Sequence, residues 1–176
     1  MYKRQNLTPV ITNVLDDNDL VRLVLEASSD TGEDGGVITY SVSLQDAAGN
    51  VVIAQDNIQV TVLLPDGTIT PVSILPGEFS SSFNFSVTRD DPYIENDTAV
   101  ARLVSAEGGG AFERFIVDDS IASTRISDDV DLVSANLTAS TSASEDGGEI
   151  TYTVTLEDAT GNSVETRDSV IVSILL

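Results

Sequence analysis

Cysteine, histidine and tryptophan are absent from this 176-residue chain, and methionine occurs once. Without cysteine, neither disulfides nor thiolate metal sites can hold the fold together. Without histidine, the usual general base, zinc ligand and physiological pH switch are all missing. Aromatic residues make up 5% of the sequence, so the exposed rings that commonly anchor sugars or protein partners are scarce. Positive charge is the other shortage: 8 Lys and Arg stand against 29 Asp and Glu, a net charge of −21. Such a chain repels nucleic acid and anionic membrane surfaces and attracts cations. No apolar run approaches the roughly 20 residues of a membrane span, so no membrane insertion is expected in this segment, and no secretory signal peptide is visible.

What the chain does contain is an internal copy. Residues 20–64 align without a gap on residues 132–176, an offset of 132 − 20 = 112 positions, with about half of them identical. A period of that length is one whole domain rather than a short solenoid repeat. With 41% hydrophobic residues, rich in Val, Ile and Leu, the chain can bury a core despite its charge. The expected organisation is a lead-in over 1–15, a complete unit over 16–128 and the N-terminal part of a second unit over 129–176. Residues 1–5 do not fit the repeat and resemble translated adaptor read-through at the end of a metagenomic fragment. They are set aside from fold reasoning.

Nearly every segment has the two-residue period of a half-buried strand. Ile38, Tyr40, Val42 and Leu44 alternate with Thr39, Ser41 and Ser43, and Ile150, Tyr152, Val154 and Leu156 repeat the pattern. Turn signals separate the runs: Asp34-Gly35-Gly36, Ala48-Gly49-Asn50, Pro65-Asp66-Gly67, Pro76-Gly77 and Gly108-Gly109-Gly110. Strands are expected over 20–27, 37–44, 51–63 (bent near Gln55-Asp56), 68–74, 79–88, 98–105 and 112–126, and helical periodicity is convincing nowhere. About seven strands in about 110 residues is the count of an immunoglobulin-like β-sandwich, so the expected class is all-β, with tandem sandwiches.

On that strand map the acids gather at one pole of the first unit. Glu33 and Asp34 lie in the first loop, Asp90 and Asp91 with Glu95 lie in the loop before 98–105, and Asp128, Asp129 and Asp131 follow the last strand. Asp16, Asp17 and Asp19 occupy the equivalent lead-in to the first unit, and Glu145-Asp146 repeat the Glu33-Asp34 pair. Solvated acidic loops would explain any one pair. Recurrence of linker acids and loop acids at the same offset favours a hard cation at the joints. Ca²⁺ suits them best, because it takes 6–8 oxygens in flexible geometry where Mg²⁺ demands a tight octahedron.

The run EDGGxITYxVxLxDAxGN, a PDG turn, PGEFSSSFNFSV, DDPYIEN, GGGAFERFIVDD and a closing DD resembles the extender repeat of large LapA-type biofilm adhesins. These are secreted by type I systems and often carry RTX repeats. The resemblance covers 16–176. It implies an immunoglobulin-like domain repeated in an extracellular, cell-surface stalk, with calcium stiffening the junctions. The RTX nonapeptide itself is absent. Asp46-Ala47-Ala48-Gly49 resembles the cleavage site of such adhesins, but its second copy, Asp158-Ala159-Thr160-Gly161, keeps the turn chemistry and loses the second alanine. The turn reading is preferred.

The expected function is therefore a structural extender: a monomeric rod whose partners are neighbouring repeats, projecting a distant tip that carries adhesion. A sugar-, ice- or protein-binding module is the alternative; Tyr93 is the one aromatic expected to be exposed for it, while Phe83 and Phe85 read as core. A cadherin-like or Calx-β-like calcium module is the nearest variant of the leading reading. Asp90 and Asp91 could act as acid and base, but with no histidine or cysteine and with the acids at domain ends, no enzyme is expected.

Overall fold

The computed structural model describes residues 9, 11–15, 17–88, 90–117 and 119–175. Residues 1–5 and Asp16 lie outside the described residues. Among those described there is no helix, and eleven strands form three sheets. In chain order these are β1 (Leu20–Ala27), β2 (Asp30–Gly32), β3 (Val37–Asp46), β4 (Ile58–Leu63), β5 (Ile69–Ile74) and β6 (Ser80–Ser86). They continue with β7 (Asn96–Glu107), β8 (Arg114–Val117), β9 (Ile121–Ser127), β10 (Ser134–Ala139) and β11 (Tyr152–Glu157). Two sheets, ordered β6-β3-β1-β8 and β2-β9-β7-β4-β5, form a sandwich of the expected all-β, immunoglobulin-like kind.

The alternation seen in the sequence is what packs this sandwich. Along β4 every second residue is buried, and β1 and β9 alternate in the same way. Leu23, Ile38, Tyr40, Val42 and Leu44 from one sheet meet Ile58, Val60, Val62, Ile74, Ala101 and Ile126 from the other in one core. Each large side chain so buried contributes about 1.5–3 kcal/mol. Tyr40 stacks on Phe83 with ring centroids 5.4 Å apart. Phe83 and Phe85 are only partly buried and pack against the core from its side.

Three departures from the expected strands bear on the joint. The segment 51–63 is strand only from Ile58, because the chain bends at Gln55-Asp56 and earlier makes a lone bridge from Val51 to Gln45. The expected strand 112–126 is two strands in different sheets: β8 runs parallel to β1 and β9 antiparallel to β7. Ser120 pins the crossover, its hydroxyl donating to the Leu25 carbonyl at 3.3 Å and accepting from the Leu25 N–H at 3.4 Å. The short β2 is the mirror of that switch. After Ala27 the chain crosses to the other sheet and pairs parallel with β9, Gly32 opposite Ser127. The buried Thr124 hydroxyl, donating to the Ser28 carbonyl at 2.6 Å, fixes the crossing.

Beyond Ser127, β10 and β11 pair as β1 and β3 do. Ser134 faces Glu157 and Ala139 faces Tyr152, the same register as Arg22 with Gln45 and Ala27 with Tyr40. The packing differs. Leu25, Ile38 and Tyr40 are buried, whereas their counterparts Leu137, Ile150 and Tyr152 are 49%, 51% and 42% exposed, because no second sheet covers the β10–β11 hairpin.

Candidate functional site: a carboxylate joint

The loop after β1 is shaped by its glycines. Gly35 has φ +69°, a conformation glycine adopts without strain. A Cβ on Gly36 would lie 2.1 Å from the Gly32 carbonyl oxygen and 2.2 Å from the Thr31 hydroxyl. The second copy has the same design, with Gly147 at φ +101° and Gly148 packed against the Ser144 backbone. The Glu-Asp-Gly-Gly signature thus lets the loop fold back on β2, and β2 delivers Glu33 to the end of β9. There the Glu33 N–H donates to the Ser127 carbonyl at 3.2 Å.

Glu33 is 6% exposed, unusual for a glutamate, a residue type that is seldom buried. The Asp129 backbone N–H donates to its Oε1 at 3.1 Å. That bond lowers its pKa, but burial, a hydrogen bond shared with the Asp128 carboxyl and the charges of Asp128 and Asp129 together push it above the usual carboxylate range. Carboxylate oxygens of Glu33, Asp129 and Asp131 lie within 4.8 Å of one another. Desolvation and the charges of Asp90, Asp129, Asp128 and Asp91 raise the Asp131 pKa as well. Next to them Glu33, Asp90, Asp91, Glu95, Asp97 and Ile126 line a recess of about 270 Å³.

The structure therefore brings together Glu33, Asp90, Asp91, Asp128, Asp129 and Asp131. Asp34 is exposed and lines none of this recess. Asp17 is exposed before β1, and Asp19 sits at the opposite pole, its N–H donating to Glu113 Oε2 at 2.6 Å. By the repeat offset Asp17 and Asp19 are the counterparts of Asp129 and Asp131, so they belong to the other end of the unit. The sequence reading missed Asp97, which lies on β7 inside the recess; its acidity next to the Asp90-Asp91 loop was the available signal.

The donors present are all oxygens, and a buried carboxylate, Glu33, facing the exposed carboxylates of Asp129 and Asp131 fits a hard cation. Three carboxylate oxygens gathered within 4.8 Å are near enough to share one such ion, and the 6–8 oxygens and flexible geometry of Ca²⁺ suit a site built from loops. No helix among the described residues is long and apolar enough to cross a membrane.

The segment after β9 rests on this pole. Asp90, Asp91 and Pro92 face Asp131, Leu132, Asp158, Ala159 and Thr160 across a shared cleft. Tyr93 donates its hydroxyl to the Glu165 carbonyl at 2.6 Å, and Arg167 pairs with Glu95. Asp158 is committed to its own turn, accepting from the Thr160 and Asn162 backbone N–H groups at 2.9 and 2.8 Å and from the Asn162 amide at 2.9 Å. Hydrogen bonds from the Asn162 and Thr160 side chains lead the effects that lower its pKa to about 2. Asp46 makes the equivalent bonds to Ala48 and Asn50, so both copies of the motif resembling a cleavage site are intact, internally bonded turns.

Among solved structures the chain is similar to the apo-form Calx CBD1 domain, with 18% identity over 62% of this chain and 97% of that one, at a TM-score of 0.45. It is similar to CBD12 from CALX1.2, with 15% identity over 76% of this chain and 68% of that one, at 0.48. It is also similar to the CARDB domain of the Pyrococcus furiosus PF1109 protein in complex with di-metal ions, with 15% identity over 67% and 95%, at 0.35. No curated protein matches the chain in sequence. The model of the LapA domain family matches residues 19–129, from the lead-in of β1 to the aspartate whose backbone holds Glu33. The chain belongs to the LapA domain family.

Proposed function

We propose that this chain is a structural extender, a length of stalk in a bacterial cell-surface adhesin, with joints stiffened by Ca²⁺. The observation that carries the reading is the meeting of Glu33, from one unit, with Asp129 and Asp131, from the segment leading into the next. Without a cation these carboxylates repel one another, against the Asp129 N–H bond that holds the 128–131 segment to Glu33. A divalent cation bound among them reverses the sign of the interaction and ties the segment to the loop after β1. Calcium at the millimolar levels outside cells is sufficient for sites of the affinity typical of extracellular modules. At a hundredfold excess over Kd it would stabilise the closed joint by about 2.7 kcal/mol.

The partners in this reading are the neighbouring units of the same chain, arranged as a monomeric rod outside the cell. The rod serves adhesion and biofilm formation through a distant tip, and export by a type I system with RTX repeats elsewhere belongs to the same proposal. Catalysis has no part in it. A binding platform built on Tyr93 is disfavoured, because that ring is engaged by the second unit.

Small-angle scattering of this chain in EDTA and in 5–10 times the calcium needed for saturation tests the proposal. Calcium should raise the maximum dimension, narrow the conformational spread and raise the melting temperature. If chelation leaves all three unchanged, the stiffening role is wrong.

A further inference from the structure

One guanidinium reaches the joint from the segment that follows the sandwich, that of Arg167. The Arg167 guanidinium lies over the Tyr93 ring, 3.9 Å from its centroid, and the same side chain pairs with Glu95. Tyr93 is braced from both sides: its N–H donates to Asp91 Oδ1 at 2.9 Å and its hydroxyl donates to the Glu165 carbonyl at 2.6 Å. A planar guanidinium can stack on a ring and bind a carboxylate at once, which an ammonium or an amide does far less well. Glu95 also lines the carboxylate recess, so Arg167 places a fixed positive charge on its rim.

We propose that Arg167 is a metal-independent clasp, gripping the Tyr93 ring and the Glu95 carboxylate of the preceding unit and setting the angle of this joint when no cation is bound. The inference rests on the reading of residues 129–176 as the next unit of an array. It adds a second, chemically different contact to that joint. It also makes joints unequal. At the repeat offset, Arg167 corresponds to Gln55 and Glu165 to Ile53. The first unit thus has no guanidinium at that position with which to clasp a unit before it, and any such joint would depend on its carboxylates and cation alone. Joints with and without the clasp would then differ in stiffness and in their dependence on cations.

Because Arg167 and Glu95 side chains are 57% and 39% exposed, the clasp is open to screening by salt. The absence of cysteine allows spin labels to be placed at will. With Ser82→Cys and Ser142→Cys, two exposed positions on the two units, pulsed electron resonance reads the spread of inter-unit distances. In EDTA at low salt the parent chain should give a distribution broader than in calcium but still narrowed by the clasp. Arg167→Gln, which installs the first unit's residue, should broaden it and shift the open-to-closed ratio by about three- to tenfold. NaCl at about 1 M should broaden the parent to match. The melting temperature of the sandwich should stay unchanged, separating a loosened joint from unfolding. Equal distributions for parent and Arg167→Gln in EDTA at low salt would overturn the clasp. The calcium reading is judged separately, by whether calcium narrows the Arg167→Gln distribution.

Discussion

Glu33 accepts a hydrogen bond from the backbone N–H of Asp129 at 3.1 Å, across 96 residues of sequence. That contact closes the sandwich at the point where the chain leaves it. It also holds a carboxylate against other carboxylates, so protons and cations become alternative ways of relieving the same repulsion.

Glu33 and Asp131 have raised pKa values, so their protonated forms are favoured by folding. Their contribution is fully present below their ordinary values of 4.5 and 3.8 and is lost as pH rises through the elevated ones. In EDTA the chain should therefore gain stability as pH falls from 7 towards 4.5. Asp46, Asp66 and Asp158 are shifted the other way by turn hydrogen bonds, so their contribution is lost as pH falls below 3.8 towards about 2. Melting curves in EDTA should show a maximum between the two windows. Saturating calcium should abolish the gain on acidification, because protons then displace the ion.

Replacing Glu33 by Gln removes one charge and retains the acceptor for the Asp129 N–H. In EDTA the variant should melt higher than the parent. Its calcium affinity, measured by titration calorimetry, should fall by about tenfold or more. A variant that melts lower in EDTA while binding calcium normally would remove Glu33 from the joint.

Gly36→Ala places a methyl group into the Gly32 carbonyl and the Thr31 hydroxyl. It should cost about 1–3 kcal/mol in denaturant unfolding and displace β2, taking Glu33 with it. Gly32→Ala, where a Cβ meets nothing within 4 Å, is the control and should leave calcium affinity unchanged.

Tyr40 is fully buried with its hydroxyl unpaired, and burial raises its pKa. Tyr40→Phe should retain the stack on Phe83 and stabilise the chain by about 1 kcal/mol, read from the denaturant midpoint. Tyr40→Ala should cost about 3–5 kcal/mol.

The repeat and the two-residue period made most of this fold legible from sequence. Ile38, Tyr40, Val42 and Leu44 could be assigned inward because only one face of a half-buried strand can be apolar, and the structure buries all four. Sheet switching at Ser120 and at Ser28-Ser29 left no such trace. The alternation runs unbroken through 112–126 while the hydrogen-bond partners change, so one strand was expected where there are two. The site followed the same division. Acids could be placed at one pole by counting strands up and down, but Glu33's burial depends on β2, which is too short for a periodic signal. Arg167 on Tyr93 was hidden further, since it joins two units whose contact no single unit's pattern encodes.

The parallel pairing of β1 with β8 and of β2 with β9 has a consequence for a chain under load. The first unit receives the chain at the pole of Asp19 and releases it at the pole of Asp129. Tension along a stalk would therefore pull β1 past β8 and β2 past β9 along their length. Their hydrogen bonds then lie across the pulling direction and are loaded together, not opened one after another from an end. A unit connected this way resists drag as a shear joint does, with the Glu33–Asp129 contact at the edge where the force leaves it.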